Sequence, residues 1–261
     1  MQYGSSDRRS APLKDKIYNY TSFDTSVYGL EPFATGSPRI GECATDFEAL
    51  TLDGTRTRLS DFKGRNIVLE TGSLTCPMFG ENIPGMNEIA TEFGNDHTVF
   101  LILYTREAHP AGKTPAHGSN ADKIAAAGKA AELVSEKRII LVDDVDGTAH
   151  RKWGEFPNSL WLIDPDGRVR FRSDWNNTDI LRQILSSSNR EATLRTLSEH
   201  NMPDMSRPLG PMIWMLRKAG WKAVWDVVTQ VGSMRARHAE VDDYYGSRQF
   251  AESGAKPRIC W

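Results

Sequence analysis

The chain has 261 residues, of which 39% are hydrophobic and 25% are charged, and its formal net charge is −2 at pH 7. This length can hold one domain with extensions or two small domains, and the balanced charge excludes a globally basic nucleic-acid-binding protein. No stretch approaches the roughly 18 consecutive apolar residues of a membrane-spanning helix, and no secretory signal is recognisable. The cysteines, Cys43, Cys76 and Cys260, are too sparse for a secreted disulfide framework. We therefore expect a cytoplasmic protein.

The N-terminal part differs in character from the rest of the chain. Residues 1–40 are rich in Ser, Thr, Tyr, Pro and Gly and have weak periodicity, which predicts an extended arm that wraps the domain or a partner. A hairpin of short strands is predicted between Ala44 and Leu59, because Asp53-Gly54 is a strong turn signal.

Alternating strands and helices come after the hairpin. The segments predicted are strands at 66–71, 98–104 and 139–142, helices at 83–93 and 122–137, paired strands at 159–163 and 169–173, and a helix that starts at 180–185. This order predicts an α/β thioredoxin-like fold, with a central mixed sheet flanked by helices, over residues 41–188. A generic doubly wound sheet is the alternative, which the late antiparallel hairpin disfavours. Thioredoxin-like domains place a cis-proline beside the active cysteine, just before that hairpin, so Pro157 is expected to follow a cis peptide bond although X–Pro bonds are mostly trans.

Residues 189–261 are predicted to form a helical C-terminal extension. Apolar residues have the spacing i, i+3, i+4 at Leu209, Met212, Ile213, Leu216, Ala223, Val224, Val227, Val228 and Val231. Trp214, Trp221 and Trp225 form a second stripe near Lys218 and Lys222. The two stripes predict burial on two sides, against the domain and in a homodimer; a helix that lies on a membrane surface is the alternative.

The segment that carries chemistry is Gly-Ser-Leu-Thr-Cys-Pro-Met-Phe at residues 72–79. It places Cys76 between a buried strand and a helix, where unpaired amides and the helix dipole favour an anion. Such a position can lower a thiol pKa from about 8.5 towards 3.5–7.5. Ser73 and Thr75 are predicted to hold the thiolate or a leaving group through their hydroxyls. A buried structural cysteine is the other interpretation.

A dithiol enzyme would carry a second cysteine three residues later, and that position is Phe79. An oxidised Cys76 must therefore be resolved by a distant cysteine, Cys260 or Cys43, or by an external thiol. The six histidines lack the spacing of metal ligands, so neither a bound cofactor nor a metal is expected.

Residues 72–79 resemble the Gly-Ser-Cys-Thr-Sec-Pro-Pro-Phe motif of the iodothyronine deiodinase family, a thioredoxin-fold branch with peroxiredoxin-like features. Cys76 takes the selenocysteine position, and Leu74 replaces the upstream cysteine of the family. Residues 104–110, Tyr-Thr-Arg-Glu-Ala-His-Pro, are similar to the family motif Tyr-Ile-Glu-Glu-Ala-His-Pro. His117, near Asp122, resembles a family histidine that opens the next helix. The resemblance covers approximately residues 40–185.

This resemblance implies a thiol oxidoreductase that dehalogenates an iodinated aromatic compound. Cys76 would attack the halogen, and Glu107 with His117 or His109 would supply acid–base catalysis, an effect of roughly 10²–10⁴-fold in rate. The reductant would be an external thiol or a reductase protein. Sulfur is a weaker nucleophile than selenium, so the resemblance supports redox thiol chemistry better than it supports hormone turnover.

Two other functions fit the same residues. Ser73-x-x-Cys76 is similar to the core of peroxiredoxins, although Leu69 stands where those peroxidases have a proline and no clear arginine equivalent is present. A redox-inactive binding protein on a thioredoxin fold, with the tryptophan helix as its working surface, is the third possibility. It predicts a buried, unreactive Cys76, whereas both enzymes predict an exposed, acidic thiol.

Overall fold

The computed structural model describes residues 17–25, 30–135, 137–201, 209–246 and 260–261. The strands are β1 (Glu48–Leu50), β2 (Arg56–Arg58), β3 (Asn66–Gly72), β4 (Thr98–Tyr104), β5 (Arg138–Val142), β6 (Leu160–Ile163) and β7 (Val169–Ser173). The α-helices are α1 (Leu30–Gly36), α2 (Pro77–Phe93), α3 (Asn120–Ala131), α4 (Thr148–Lys152), α5 (Thr178–Ser186), α6 (Arg190–Leu194), α7 (Leu209–Ala219) and α8 (Trp221–Gly246). A short 3₁₀ helix, Leu59–Phe62, comes after β2.

The strands form a mixed sheet in the order β2-β1-β5-β4-β3-β6-β7. β3, β4 and β5 are parallel neighbours, and β6 pairs antiparallel with both β3 and β7. The parallel βαβ half and the later antiparallel ββα half confirm the predicted thioredoxin-like fold. The parallel register sets Gly72 beside Tyr104, so the loops that leave β3 and β4 emerge together at one edge of the sheet.

The two faces of the sheet are covered by different elements. β4 is buried along its whole length, as expected for a parallel strand covered on both faces. Leu101 and Leu103 contribute to a core that includes Trp153 and Trp161, and the alternate residue Ile102 packs in the cluster that holds Phe79 of α2. The apolar run of β4 is therefore explained by burial on both sides.

The structure refines the predicted boundaries at the two ends of the domain. α2 begins at Pro77 rather than at Ile83, because proline suits the first helical position, where no backbone N–H donor is needed. Within the predicted extended arm, Leu30–Gly36 is helical, and the parts of the arm at 1–16 and 26–29 lie outside the described residues. Gly220 separates α7 from α8 with φ at 129°, a conformation that glycine adopts without steric cost.

The expected cis bond before Pro157 is wrong, since the described residues contain no cis peptide bond. The trans form is the lower-energy state of an ordinary X–Pro bond, by about 0.5–1 kcal/mol. Among the described helices, none is both long and apolar enough to cross a membrane.

Candidate active site

Cys76 lies at the start of α2, directly beyond the loop that leaves β3. It is the residue that caps this helix, and the backbone amides of Met78 and Phe79 are directed at its sulfur, which lowers its pKa. Cys76 is only 2% exposed, however, and burial raises the pKa of the thiol to about 12. The expected acidic thiol is therefore wrong for this conformation, because the loss of water outweighs the helix amides.

The carboxylate of Glu107 is anchored to the loop that carries Cys76. Its Oε2 accepts hydrogen bonds from the backbone N–H of Thr75 at 2.9 Å and from the Thr75 hydroxyl at 2.6 Å. Its Oε1 accepts a hydrogen bond from the Tyr104 hydroxyl at 2.6 Å, and the Tyr104 oxygen accepts one from the Leu74 N–H at 3.0 Å. The loops that leave β3 and β4 are thus joined through one buried acid.

The hydroxyls of Ser73 and Thr75 strengthen the same contact. The Ala108 N–H donates to Ser73 Oγ at 3.2 Å, and the His109 N–H donates to Thr75 Oγ1 at 3.0 Å. The motif predicted that both hydroxyls hold the sulfur or a leaving group; in the structure they bridge two loops. Their observed effect is to fix the position of the residues on either side of the thiol.

The two predicted histidines occupy different surroundings. His117 Nε2 lies 3.2 Å from Glu107 Oε1, in a direction that forms no hydrogen bond, and both buried ring nitrogens of His117 lack a hydrogen-bond partner within the described part of the chain. His109 is buried against the Phe23 ring, with centroids 4.2 Å apart, and burial lowers its pKa to about 3. Glu107 and His117 are therefore close neighbours in the site, which we call the Glu107–His117 pair, while His109 is neutral and packs against Phe23.

Residues 17–25, which we call the cover segment, lie over this site. The Tyr20 hydroxyl donates to the carbonyl of Ala108 at 2.8 Å, and burial raises the pKa of this phenol to about 12 although the nearby Arg106 charge opposes the shift. Gln230 of α8 holds the segment from the other side. Its side chain donates to the Phe23 carbonyl at 2.9 Å and accepts from the Thr25 N–H at 2.8 Å.

Arg106 fastens the first part of the cover segment. Its guanidinium lies 4.8 Å from the centroid of Tyr18 and 5.2 Å from that of Tyr20, and it forms an ion pair with Glu155 at 3.2 Å. The Tyr18 hydroxyl is 2.9 Å from His150 Nδ1. The two tyrosines could not be assigned to the site from the sequence, because the arm has no periodicity that would place them. Arg106 directly precedes Glu107 in the 104–110 motif, and that adjacency was the available signal.

A buried acid in the centre of the sheet was also missed. Glu70 of β3 forms an ion pair with Arg138 of β5. Its Oε1 accepts hydrogen bonds from Asn158 at 3.0 Å and Asn176 at 2.6 Å, and its charge contributes to the raised pKa of Cys76. The sequence did contain a signal for this buried acid, because a glutamate stands inside the otherwise apolar strand Ile-Val-Leu-Glu-Thr.

Cys43 and Cys260 are bonded to each other in a disulfide, and Cys76 is free. Neither candidate resolving cysteine therefore has a free thiol in this form. Within the described ranges, no cluster of three or more His, Cys, Asp or Glu side chains could hold a metal ion.

Comparison with known proteins gives a family match and resemblances in fold. The sequence model of the iodothyronine deiodinase family matches residues 14–176. The type II iodothyronine deiodinase of Bos taurus is 29% identical over a match that covers 40% of this chain and 44% of the bovine protein, so the chain spans less than half the length of this curated relative.

Among solved structures, the exposed lipoprotein thioredoxin Etrx1 of Streptococcus pneumoniae is 26% identical, with a TM-score of 0.42, over 54% of this chain and 98% of that one. A protein from Chlorobium tepidum, assigned as a thiol:disulfide interchange protein DsbE, is 19% identical, with a TM-score of 0.43, over 60% of this chain and 99% of that one.

Proposed function

This chain belongs to the iodothyronine deiodinase family, and we propose that it is a thiol oxidoreductase that removes iodine reductively from an iodinated aromatic substrate. The observation that carries the proposal is the position of Cys76. The family's selenocysteine position is filled by a cysteine at the start of α2, joined through Thr75 to the Glu107–His117 pair. A nucleophile and a proton-handling pair thus occupy adjacent loops.

The proposed reaction transfers two electrons from external thiols to the carbon–iodine bond. The Cys76 thiolate attacks iodine, so that a sulfur–iodine bond forms and the carbon–iodine bond breaks with its electron pair left on carbon. That carbon takes a proton. An external thiol then attacks the Cys76 sulfur, expels iodide and forms a mixed disulfide, and a second thiol releases Cys76 and leaves as the external disulfide.

The Glu107–His117 pair is proposed to deliver the proton to carbon. Glu107 is held by three hydrogen-bond donors, two from Thr75 and one from Tyr104, so its position relative to the thiol loop is fixed. His117 lies at its edge with both ring nitrogens free of hydrogen bonds within the described ranges, which leaves them available to a substrate. His109, with a pKa of about 3, is a poor proton donor and fits a packing role.

Catalysis requires the cover segment to move. In the closed conformation the sulfur is buried and its pKa is about 12, which keeps it protonated near neutral pH. Displacement of Tyr20 and Phe23 would admit water and substrate to the thiol. The amides of Met78 and Phe79, which already lower the pKa of Cys76, would then favour the thiolate.

The burial of Cys76 also favours a second candidate, the redox-inactive binding protein. The two are separated by the rate of Cys76 alkylation against pH in the Cys43→Ser/Cys260→Ser variant. An enzyme whose cover opens gives alkylation of the folded protein with an apparent pKa below about 8.5. A folded protein that resists alkylation at every pH is an inert binding module, and reaction with peroxide but not with iodinated phenols would instead indicate a peroxidase.

A further inference from the structure

Helices α7 and α8 present an apolar stripe to solvent. We call it the tryptophan face, and it comprises Ile213, Trp214, Trp221, Trp225 and Val228. The three tryptophans are 57%, 67% and 68% exposed. These are large apolar surfaces to leave in water, and contiguous exposed patches of this kind mark interaction sites.

The opposite side of the same helices explains why the tryptophans point outwards. Leu216, Ala219, Ala223 and Val227 are buried together with Ala111, and the carbonyl of Ala219 accepts a hydrogen bond from the backbone N–H of Lys113. The helices are therefore fixed on the domain by their small apolar side. The tryptophan face cannot turn inwards without the loss of that packing.

Cations border the tryptophan face along its length. Lys218 Nζ lies 3.9 Å from the ring centroid of Trp214, and the Arg217 guanidinium lies 4.7 Å from that of Trp221. Lys222 donates to Ser22 Oγ at 2.7 Å and pairs with Asp226, the only acidic residue between positions 209 and 228. Glu132 also acts on Lys218 through its charge, so the three cations of the face outnumber the two acids beside them.

We propose that the tryptophan face binds the surface of an anionic lipid bilayer. Exposed tryptophan interleaved with lysine and arginine is the pattern of helices that lie in the membrane interface, where an indole ring places its apolar body in lipid and its N–H near water. A symmetric dimer through this face would bring equivalent patches together and would set cations against cations, which disfavours a second copy as the occupant. The proposal does not depend on the deiodination chemistry.

The test is flotation of the full-length protein with phosphatidylcholine vesicles, with and without phosphatidylserine. We expect binding to the vesicles that contain phosphatidylserine, with a blue shift of tryptophan fluorescence. Trp221→Ala/Trp225→Ala should weaken binding at least about tenfold, since each ring loses burial. Lys218→Glu should weaken it by about fivefold or more, because each cation near an anionic surface contributes about that factor.

The matched control is Leu52→Ala, an exposed apolar side chain in the β1–β2 turn. Circular dichroism should show the same thermal unfolding for the tryptophan variant and the control, because the altered rings are exposed. The proposal would be overturned if the wild-type protein does not bind anionic vesicles, or if the tryptophan variant binds them as tightly as the control does. A dimer in solution that the tryptophan substitutions dissociate would also overturn it and would assign the face to a second copy.

Discussion

Glu107 accepts both polar hydrogens of Thr75, the N–H at 2.9 Å and the hydroxyl at 2.6 Å, and Thr75 directly precedes Cys76. This contact connects a buried carboxylate on one loop to the position of the thiol on another. The same carboxylate lies beside His117, whose Nε2 is 3.2 Å from the other oxygen of Glu107. In the proposed mechanism, orientation of the nucleophile and delivery of the proton depend on the same side chain.

Replacement of Glu107 by glutamine tests that dual role. An amide has one acceptor oxygen, so it cannot accept from both Thr75 and Tyr104 as the carboxylate does, and it places no negative charge beside His117. We expect iodide release to fall by roughly 10²–10⁴-fold. The control is Glu88→Gln, because Glu88 is a well-exposed side chain on α2 and its variant should retain full activity. If the Glu107→Gln variant were as active as the Glu88→Gln variant, Glu107 would have no catalytic role and the proposed mechanism would be wrong on this point.

Thr75→Val isolates the hydroxyl from the backbone contact. The substitution keeps the N–H bond to Glu107 but removes the hydroxyl that donates to Glu107 and accepts from the His109 N–H. Because buried polar groups lose partners, the free energy of unfolding should fall by about 1–3 kcal/mol, measured by urea denaturation. Thr91→Val, at an exposed hydroxyl that bonds to its own helix, should change it far less, and equal losses in the two variants would contradict the account.

Gln230→Ala tests the cover segment. It removes the two hydrogen bonds that hold Phe23 and Thr25 from α8, and each such bond contributes about 0.5–1.5 kcal/mol. Alkylation of Cys76 at fixed pH should accelerate by about tenfold, and the free energy of unfolding should fall by no more than about 1–3 kcal/mol, the contribution of the two lost bonds. Thr229→Ala, whose hydroxyl bonds within α8, is the matched control. An unchanged alkylation rate in Gln230→Ala would show that another element limits access.

The raised pKa of Cys76 predicts how stability changes in alkaline solution. In the unfolded chain the Cys76 thiol has the ordinary pKa of 9.0, and burial raises it to about 12 in the folded protein. Between these two values the folded protein keeps a proton that the unfolded chain releases. The stabilisation is complete below pH 9 and is lost as pH rises towards 12, at up to about 1.4 kcal/mol per pH unit. Cys76→Ala should lack this component in urea unfolding measured from about pH 8 upwards. Parallel curves for the wild type and the variant would contradict a strongly raised thiol pKa.

The disulfide gives a separate test of the electron source. Cys43→Ser/Cys260→Ser removes a cross-link between residues 217 positions apart, which typically costs about 2–4 kcal/mol of stability. Since external thiols are proposed to resolve Cys76, turnover with dithiothreitol should persist below the unfolding temperature. Loss of turnover in the folded double variant would instead restore Cys43 or Cys260 as a resolving thiol.

Much of the fold could be predicted from local patterns. The apolar run of β4 and the Asp53-Gly54 turn are strong local signals, and the structure has both elements where they were expected. The proximity of Cys76 and Glu107 results from the parallel pairing of β3 and β4, which sets the ends of the two strands side by side. Motif spacing and sheet geometry together could therefore predict the candidate site.

The surroundings of the thiol could not be predicted in the same way. The pKa of Cys76 is raised by burial, and Tyr20 and Phe23, which pack on the neighbouring Ala108 and His109, lie in a region whose sequence has no periodic signal. A position at a helix start, taken alone, predicts a lowered thiol pKa. The predicted direction of the Cys76 pKa shift was wrong because residues distant in the sequence exclude water from the sulfur. The outward orientation of Trp221 and Trp225 likewise depends on which side of α8 packs on the domain, although the sequence does define the stripe.

The central claim, that Cys76 is the nucleophile of a reductive deiodination, is tested most directly by iodide release from an iodinated phenol with dithiothreitol. The account predicts catalytic iodide release by the wild type and by the Cys43→Ser/Cys260→Ser variant, and none by a folded Cys76→Ser variant. Iodide release that survives in Cys76→Ser, or a wild type that releases none while Cys76 is readily alkylated, would contradict it.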